Sequence, residues 1–525
     1  MVMDKGIEQC MNNKTGFGKR DFFRLGVAFF FLVGIMLFAA VILPKGSAIS
    51  FELMIAAVIG GYMAMNIGAN DVANNVGPAV GSRALTMTGA IIIAAIFEAG
   101  GALIAGGGVV STIKKGIIDP SLIPSADVFI WLMMAALLAG AIWLNMATAI
   151  GAPVSTTHAI VGGVLGAGIA AGGFGIANWN QMGMIAASWV ISPVIGGLIA
   201  AGFLFWIKHS ITYQKDMIAA TRRMLPVMVG LMVMAFSTYL IMKGLKQVIK
   251  VDILTATLIG LVLAVITFFA VKYLTLKHSI RLSNDKKNVN KLFTIPLIFA
   301  AALLSFAHGA NDVANAVGPL AAIADAITHM GVTSKAPIPF WVMAIGALGI
   351  SIGLALFGPK LIRTVGSEIT ELDQMRAFCI AMAAAITVII ASQLGLPVSS
   401  THIAVGGVFG VGFLREYLKA NYAKALEDIE YHCSCKAPSD TKAFMREFES
   451  ASVEGKREML TQVRTNTAEL DLTKSERKNI KKRNRQELVK RSALLKIAAA
   501  WVITVPAAGL MAGFLFYAIR GMMLP

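Results

Sequence analysis

Long apolar segments recur along the chain and constrain its fold more than any other feature of the sequence. The chain is 57% hydrophobic and only 14% charged, whereas a soluble domain carries about 25% charge. Many segments reach the roughly 20 residues that an α-helix needs to cross about 30 Å of hydrocarbon. They predict an all-α polytopic membrane protein, because a β-barrel would show short segments of alternating polarity. The apolar segments lie near residues 22–43, 51–80, 85–108, 127–149, 150–171, 182–206, 224–243, 252–275, 293–325, 338–358, 373–394, 395–414 and 492–519.

Glycine, proline and polar residues interrupt several of these segments, so we expect broken or re-entrant helices among them. The predicted architecture has about 12 spans plus an extra N-terminal helix. That extra helix corresponds to residues 22–43. It is of spanning length, whereas the apolar core of a cleaved signal peptide is shorter. We therefore expect it to remain in the protein.

The net charge of +17 comes mainly from loops between the apolar segments. This distribution is the positive-inside bias that orients membrane helices, and it argues against a nucleic-acid partner. The basic regions are the N-terminus, residues 207–223, residues 276–291 and an insert at 415–491. We expect all four basic regions to lie in the cytoplasm. The protein is then predicted to be a multi-pass protein of the cell (plasma or inner) membrane. The strongly basic end of the insert also suggests contact with lipid headgroups.

A polar motif occurs twice within this apolar chain. Residues 68–74 read Gly-Ala-Asn-Asp-Val-Ala-Asn, and residues 309–315 repeat the same letters. An ionised Asp at membrane depth costs at least about 2.5–3.5 kcal/mol and therefore needs a partner. Pairing with a basic residue is one explanation, but only Arg83 and His308 are near in sequence. We favour a cation site, in which side-chain oxygens bind Na⁺ or an Asp carries H⁺. Its candidate residues are Asn70, Asp71, Asn74, Asn311, Asp312 and Asn315.

A second motif is also duplicated, as Pro-Val-Ser-Thr-Thr-His at 153–158 and Pro-Val-Ser-Ser-Thr-His at 397–402. Proline ends one helix, and the helix that restarts after it offers free N–H groups together with hydroxyls, which suit an anion. Packing between membrane helices is the alternative. The spacing favours the anion site, because 87 residues separate Asp71 from His158 and 90 separate Asp312 from His402. The candidate residues are Ser155, Thr156, Thr157, Ser399, Ser400 and Thr401.

Three further polar residues could take part in cation or proton coupling. His158 and His402 follow the hydroxyl residues directly, although a buried histidine is more often a hydrogen-bonded packing residue. Glu98 is another acid within an apolar segment. Its counterpart in the second half falls near Ala347 or Leu348, so this acid has no equivalent there.

The offset between the two halves is 241 residues at the aspartates, 244 at the histidines and 312 at Trp189 and Trp501. The increase in offset between the histidines and the tryptophans indicates an insertion between them in the second half. The charge distribution further predicts that the halves are inverted with respect to each other. We therefore predict the following organisation: 1–50, N-terminal tail and extra helix; 51–206, first membrane repeat; 207–291, linking helices and cytoplasmic loops; 292–414, first part of the second repeat; 415–491, basic cytoplasmic insert; 492–525, last helix of the second repeat.

These motifs, together with Lys114-Lys-Gly-Ile-Ile-Asp119, resemble the PiT-type inorganic phosphate transporter family, the Pho4 or sodium–phosphate symporter group. The resemblance implies inverted repeats, a homodimer in the membrane and cation-coupled uptake of inorganic phosphate. It also implies Na⁺ binding by the Asn-Asp motifs and phosphate binding by the Ser/Thr segments. The extra N-terminal helix, the insert and Ala381, where the family often has Glu, depart from its pattern.

We predict a secondary-active symporter that takes up phosphate with Na⁺ by alternating access. An H⁺-coupled phosphate or sulfate permease of the same fold is the alternative, and a passive anion channel is the alternative from a different class. A collection of Ser, His and Asp also suggests a hydrolase. However, every member is duplicated, which is unusual for a catalytic centre, so we expect no enzyme. We expect no cofactor other than Na⁺ as a co-transported ion.

Overall fold

The computed structural model describes residues 18–42, 48–244, 251–329, 338–367, 372–434 and 491–523. Within these ranges the chain is helical, and the only β-contact is an isolated bridge between Ile118 and Ala177. The helices are α1 Lys19–Ile42, α2 Ala48–Asn70, α3 Ala73–Gly81, α4 Met87–Ala105, α5 Gly107–Lys115, α6 Ala126–Ile150, α7 Thr156–Gly172, α8 Trp179–Ile207, α9 Met217–Gly244, α10 Ile253–Ser279, α11 Lys286–Leu292, α12 Thr294–Asp312, α13 Ala314–His329, α14 Phe340–Ser367, α15 Gln374–Gln393, α16 Ser400–Ser434 and α17 Arg491–Met523.

The predicted helical membrane fold is confirmed. Eleven helical spans in the described part of the chain are long and apolar enough to cross a membrane, among them α1 near the N-terminus. A further apolar helix, α7, is shorter at 17 residues. Many large apolar side chains on the outer helices are exposed, as expected for surfaces that face lipid. The protein is therefore a multi-pass membrane protein.

Both Asn-Asp motifs lie where a long helix is interrupted. Helix α2 ends at Asn70 and α3 begins at Ala73, while α12 ends at Asp312 and α13 begins at Ala314. These two broken segments are also deeply placed, since 61% of the apolar window within residues 51–81 and 89% of the window within 294–328 is buried. The polar motifs therefore lie inside the protein and away from lipid.

The two Pro-Val-Ser segments lie in turns that join pairs of helices. Gly151 between α6 and α7 has φ of 78°, and Gly395 between α15 and α16 has φ of 68°. Glycine adopts this left-handed conformation without strain, which explains its presence at both turns. We call these pairs hairpin 1 (α6–α7) and hairpin 2 (α15–α16). The chain turns back at each, and a new helix begins at the hydroxyl residues.

Each hairpin packs against helices of the other half of the chain and also against helices of its own half. Helix α7 packs along α17, and α16 packs along α8. Glycines make this close approach possible: a Cβ at Gly166 would lie 2.1 Å from the carbonyl oxygen of Gly509, and one at Gly410 would lie 2.0 Å from that of Gly197. Small residues that bring helix backbones together are typical of membrane interfaces.

The matched segments thus adopt matched local structures in the two halves. The inverted orientation of the halves and the domain boundaries stay predictions. Most of the insert (435–490) and the N-terminal tail (1–17) lie outside the described residues.

Candidate functional site

All six residues of the Asn-Asp motifs are buried, each at most 1% exposed. The first asparagine of each motif contacts the hairpin of its own half. The amide nitrogen Nδ2 of Asn70 donates to Thr148 Oγ1 at 2.9 Å and to the Ala152 carbonyl at 3.2 Å. In the second half, Nδ2 of Asn311 donates to Ser392 Oγ at 2.9 Å. These asparagines therefore fix each hairpin turn beside its motif.

The serines of the hydroxyl segments begin α7 and α16. Ser155 Oγ accepts a hydrogen bond from the backbone N–H of His158 at 3.1 Å, and Ser399 Oγ accepts one from that of His402 at 3.2 Å. This is the N-cap arrangement that stabilises a helix start. A hydroxyl can accept and donate at once, so both serines keep a proton to donate.

Asp71 is contacted by hydroxyls from both halves of the chain. Thr156 Oγ1 donates to Asp71 Oδ2 at 2.6 Å, and Thr401 Oγ1 donates to Asp71 Oδ1 at 3.0 Å. Asp312 accepts from Ser400 Oγ at 2.8 Å through its Oδ2. The predicted cation and anion residues are therefore in direct hydrogen-bond contact.

The last asparagine of each motif contacts the hydroxyl segment of the opposite half. Nδ2 of Asn74 donates to Thr401 Oγ1 at 2.8 Å. Nδ2 of Asn315 donates to Thr156 Oγ1 at 3.1 Å and to Thr157 Oγ1 at 3.2 Å. These crossed contacts join the four duplicated segments into one composite site.

A histidine bridges two acids at one side of this site. Nδ1 of His308 lies 2.7 Å from Glu98 Oε2, and its Nε2 lies 2.8 Å from Asp312 Oδ2. The amide of Asn75 donates to the other oxygen of Glu98 at 2.8 Å. Sequence reasoning noted His308 only as a residue near the second motif, and it gave Glu98 a possible role in cation or proton coupling without identifying a partner; that role stays a prediction. The spacing of four residues between His308 and Asp312 places both on one face of α12, and this signal could have identified the pair.

The two motifs bring like charges close together. One ligand atom from each of Asp71, His308 and Asp312 lies within 4.8 Å of the others. Two carboxylates at that separation repel by about 3 kcal/mol at an effective dielectric constant of about 20. Asn74 Oδ1 and Asp312 Oδ1 are buried and have no hydrogen-bond partner among the described residues. Oxygen atoms of this kind are ligands that hard cations prefer.

Residues 67–512 match the model of the phosphate transporter family. The chain belongs to this family. The matched range contains both Asn-Asp motifs, both hydroxyl segments and the bridging histidine. The family's activity is transport of phosphate, in agreement with the expectation that the chain is not an enzyme.

Relatives named "Putative phosphate permease" are similar to this family member over much of its length. One from Helicobacter pylori (strain J99 / ATCC 700824) is 52% identical over 512 residues, covering 95% of this chain and 96% of the relative. One from Thermococcus kodakarensis is 41% identical and covers 69% of this chain and 89% of the relative. A solved structure, "The sodium-dependent phosphate transporter", superposes with a TM-score of 0.74 at 31% identity, covering 90% of this chain and 100% of that one.

The histidines that follow the hydroxyl segments of this phosphate transporter form part of a row of rings. The ring of His158 lies tilted against that of Trp189 with centroids 3.8 Å apart, and His402 stacks on Trp501 at 3.6 Å. The two imidazoles meet edge to face at 4.4 Å. Nδ1 of His158 lies 3.4 Å from the Trp501 carbonyl. These contacts are those of packing residues, and a coupling role for the two histidines stays a prediction.

Proposed function

We propose that this protein takes up inorganic phosphate together with Na⁺ by alternating access. The observation that carries the proposal is the composite site, in which carboxylates and amides of both motifs touch hydroxyls of both hairpins. Phosphate would bind at Ser155, Thr156, Thr157, Ser399, Ser400 and Thr401. Na⁺ would bind at Asn70, Asp71, Asn74, Asn311, Asp312 and Asn315. The sodium-dependent transporter of similar structure supports the choice of Na⁺.

The hydroxyl contacts suggest how the two solutes are coupled. Each hydroxyl carries a single proton. Thr156, Thr401 and Ser400 donate theirs to Asp71 or Asp312. Na⁺ bound to these carboxylates would compensate their negative charge in place of the hydroxyl donors. The hydroxyls would then be able to donate to phosphate. It would also offset the repulsion between the carboxylates and the anion. Each solute then raises the affinity for the other, which is the basis of symport.

Phosphate fits this site better than sulfate does. Hydrogen phosphate can donate a hydrogen bond as well as accept several, whereas sulfate only accepts. Asp312 Oδ1 is a buried acceptor with no partner among the described residues. A donor on the anion would satisfy this oxygen, whereas sulfate would leave it without a hydrogen bond.

One observation favours a second candidate, H⁺ coupling. His308 joins Glu98 and Asp312 at 2.7 and 2.8 Å, and histidine is the side chain best suited to exchange protons near neutral pH. In this alternative the Glu98–His308–Asp312 group would carry the coupled proton, and uptake would not require Na⁺.

Uptake by the purified protein in liposomes tests these proposals. Labelled phosphate and sulfate would be offered with a Na⁺ gradient, an H⁺ gradient or neither. We expect Na⁺-driven phosphate uptake that is abolished in Asp71→Asn and in Asp312→Asn but kept in the exposed control Asp127→Asn. Normal Na⁺-dependent uptake by both motif variants would rule out the cation site. Uptake without any gradient dependence would indicate a passive channel.

The hydroxyl assignment has a separate test. Ser155→Ala and Ser399→Ala should each weaken phosphate binding, because each removes a donor and loosens a helix start. Ser188→Ala is the matched control, since this buried serine donates to a carbonyl of its own helix at 2.6 Å. Phosphate affinity unchanged in both hairpin variants would contradict the assignment.

We further propose a homodimer in the cell membrane, in contact with lipid, with the N-terminus and the 415–491 insert in the cytoplasm. Cysteine labelling of intact cells and the mass of the detergent-solubilised protein would test the orientation and the dimer.

A further inference from the structure

Three side chains of the first half bind the turn of hairpin 2 through its backbone. Each donates one hydrogen bond to a carbonyl of this turn, and the donors come from α5, α7 and α8. The bonds are Thr112 Oγ1 to Gly395 at 2.8 Å, Trp189 Nε1 to Pro397 at 3.2 Å and Thr157 Oγ1 to Val398 at 3.0 Å. The turn of hairpin 2 is therefore bound to the opposite half of the chain at three points.

The repeat identifies counterparts in the second half for two of these donors. Thr401 matches Thr157 at the offset of the hydroxyl segments, and Trp501 matches Trp189. Thr401 uses its single proton in the bond to Asp71 at 3.0 Å. Trp501 Nε1 is buried and has no hydrogen-bond partner among the described residues. Neither counterpart therefore binds the turn of hairpin 1.

Hairpin 1 is bound from the second half at a different point. Lys360 Nζ on α14 donates to the carbonyl of Ala149 at 2.6 Å. This carbonyl belongs to the last turn of α6, just before the glycine at which the chain turns back. The two turns thus have matched sequences, but the donors that bind one of them do not bind the other.

The unpartnered indole is the most informative part of this difference. An indole N–H can only donate, and a buried donor without an acceptor costs free energy that a hydrogen bond would recover. The matching indole of the first half donates to the carbonyl of Pro397, so the equivalent acceptor for Trp501 is the carbonyl of Pro153. Ring packing does not explain why only one indole is bonded, because each tryptophan also packs against a histidine ring.

We propose that Trp189 and Trp501 are positioning residues that alternate in binding the two hairpin turns. In the arrangement of this structure, Trp189 binds the turn of hairpin 2, and the turn of hairpin 1 is released. In the opposite access state, Trp501 donates to the carbonyl of Pro153, and Trp189 loses its bond to Pro397. The inference rests on the proposed alternating access, in which one repeat moves against the other around the site.

Such an exchange keeps the two access states close in free energy. Each state has one bonded and one unpartnered indole, so the bond formed at one turn offsets the bond lost at the other. A bound solute can then shift the equilibrium with a modest difference in affinity for the two states. The exchange also reaches the site, because the two turns lead directly into Ser155 and Ser399.

The test removes each indole N–H in turn, with Trp189→Phe and Trp501→Phe, which keep an aromatic ring at each position. Trp179→Phe is the matched control, since this indole donates to the nearby carbonyl of Phe174 at 3.2 Å. Thr112→Val removes another donor to the turn of hairpin 2. It serves as a second variant if Trp189→Phe fails to fold, and it should act in the same direction.

The release of each turn is measured by chemical labelling of the full chain. Ala152→Cys and Leu396→Cys are introduced separately, at matched positions of the two turns, after the four native cysteines are replaced by alanine. The rate at which a maleimide labels each cysteine is measured in detergent without Na⁺ or phosphate. A released turn is labelled faster than a turn that is bound to the opposite half.

The two tryptophan variants should have opposite effects. Trp189→Phe should raise the labelling rate at Leu396→Cys and lower it at Ala152→Cys. Trp501→Phe should reverse both changes. The loss of one hydrogen bond corresponds to a factor of about 2 to 10 in the ratio of the two rates. Trp179→Phe should leave the ratio unchanged.

A purely structural role for the tryptophans would not produce opposite effects. If both variants change the ratio in the same direction, or neither differs from the control, the proposal is overturned. This result would be separate from that of the uptake assay, because labelling requires neither solute. Failure of Na⁺-driven uptake would contradict the proposed function, whereas equal labelling ratios would contradict only the exchange.

Discussion

Thr401 is the side chain through which hairpin 2 contacts the first Asn-Asp motif. Its hydroxyl donates to Asp71 Oδ1 at 3.0 Å and accepts from Asn74 Nδ2 at 2.8 Å, and the residue is fully buried. The change Thr401→Val keeps the branched shape and removes only the hydroxyl. If Na⁺ frees this hydroxyl for phosphate, then its loss should weaken phosphate binding in the presence of Na⁺ and hardly at all in its absence.

The expected size follows from the type of bond. A hydrogen bond to a charged group contributes about 1.5–3 kcal/mol, which corresponds to a factor of about 10 to 150 in affinity. We therefore expect phosphate affinity at saturating Na⁺ to fall by about that factor in Thr401→Val. Without Na⁺ the hydroxyl of Thr401 continues to donate its hydrogen bond to Asp71 and cannot donate to phosphate. The phosphate affinities of the variant and the wild type should then agree within about threefold, or about 0.6 kcal/mol.

Equilibrium binding of labelled phosphate with and without Na⁺ measures both quantities on the same preparation. Thr387→Val is the matched control, since this buried threonine of α15 donates to a carbonyl of its own helix at 2.8 Å. An equal loss of affinity with and without Na⁺ would refute the transfer of the hydroxyl. A loss no larger than that of the control would remove Thr401 from the phosphate site.

Two further predictions concern stability and are measured by thermal unfolding in detergent. Gly410→Ala places a methyl group against the backbone of α8 and should cost about 1–3 kcal/mol. Gly202→Ala, which meets no atom within 4 Å, should not lower the unfolding midpoint, because alanine favours a helix more than glycine does. Equal midpoints for the two variants would contradict the packing argument. His308→Gln removes the imidazole that lies between two buried acids and should cost at least about 1–3 kcal/mol, unlike the exposed control His209→Gln. An unchanged midpoint would show that the bridge is not needed for stability.

The fold could be predicted from the sequence because its main signals are local. Apolar length predicted the spanning helices, and the polar motifs and prolines predicted where helices are interrupted. The helix breaks at Asp71 and Asp312 lie within the polar motifs, in agreement with the general expectation that polar residues interrupt some of the apolar segments. The duplicated turns also follow from local chemistry, since Gly151 and Gly395 occupy matched positions ahead of matched prolines.

The partners within the candidate site could not be predicted, because they depend on long-range packing. Asn74 and Thr401 are 327 residues apart in the chain and only 2.8 Å apart at their polar atoms. Sequence matching suggested two equivalent half-sites, each with its own motif and hydroxyl segment. It contained no information that the last asparagine of each motif contacts the hydroxyl segment of the other half.

The unmatched acid of the first half has a physical explanation in the structure. Glu98 has no counterpart in the second half, and His308 has none in the first, where the matching position is Ile67. The two unmatched residues contact each other at 2.7 Å. Each compensates the burial of the other, so the departures from the repeat occur as a pair.

This pairing makes the two motifs chemically unequal. Asp71 receives hydroxyls from both halves, through Thr156 and Thr401, whereas Asp312 receives one hydroxyl, from Ser400, and the imidazole of His308. A cation at Asp71 would release two hydroxyls toward the anion, and a cation at Asp312 would release one while competing with the imidazole. Under the proposed coupling, the first motif therefore transmits more of the cation's binding energy to phosphate than the second. The bridging histidine instead makes the second motif the place where proton concentration would alter Na⁺ binding.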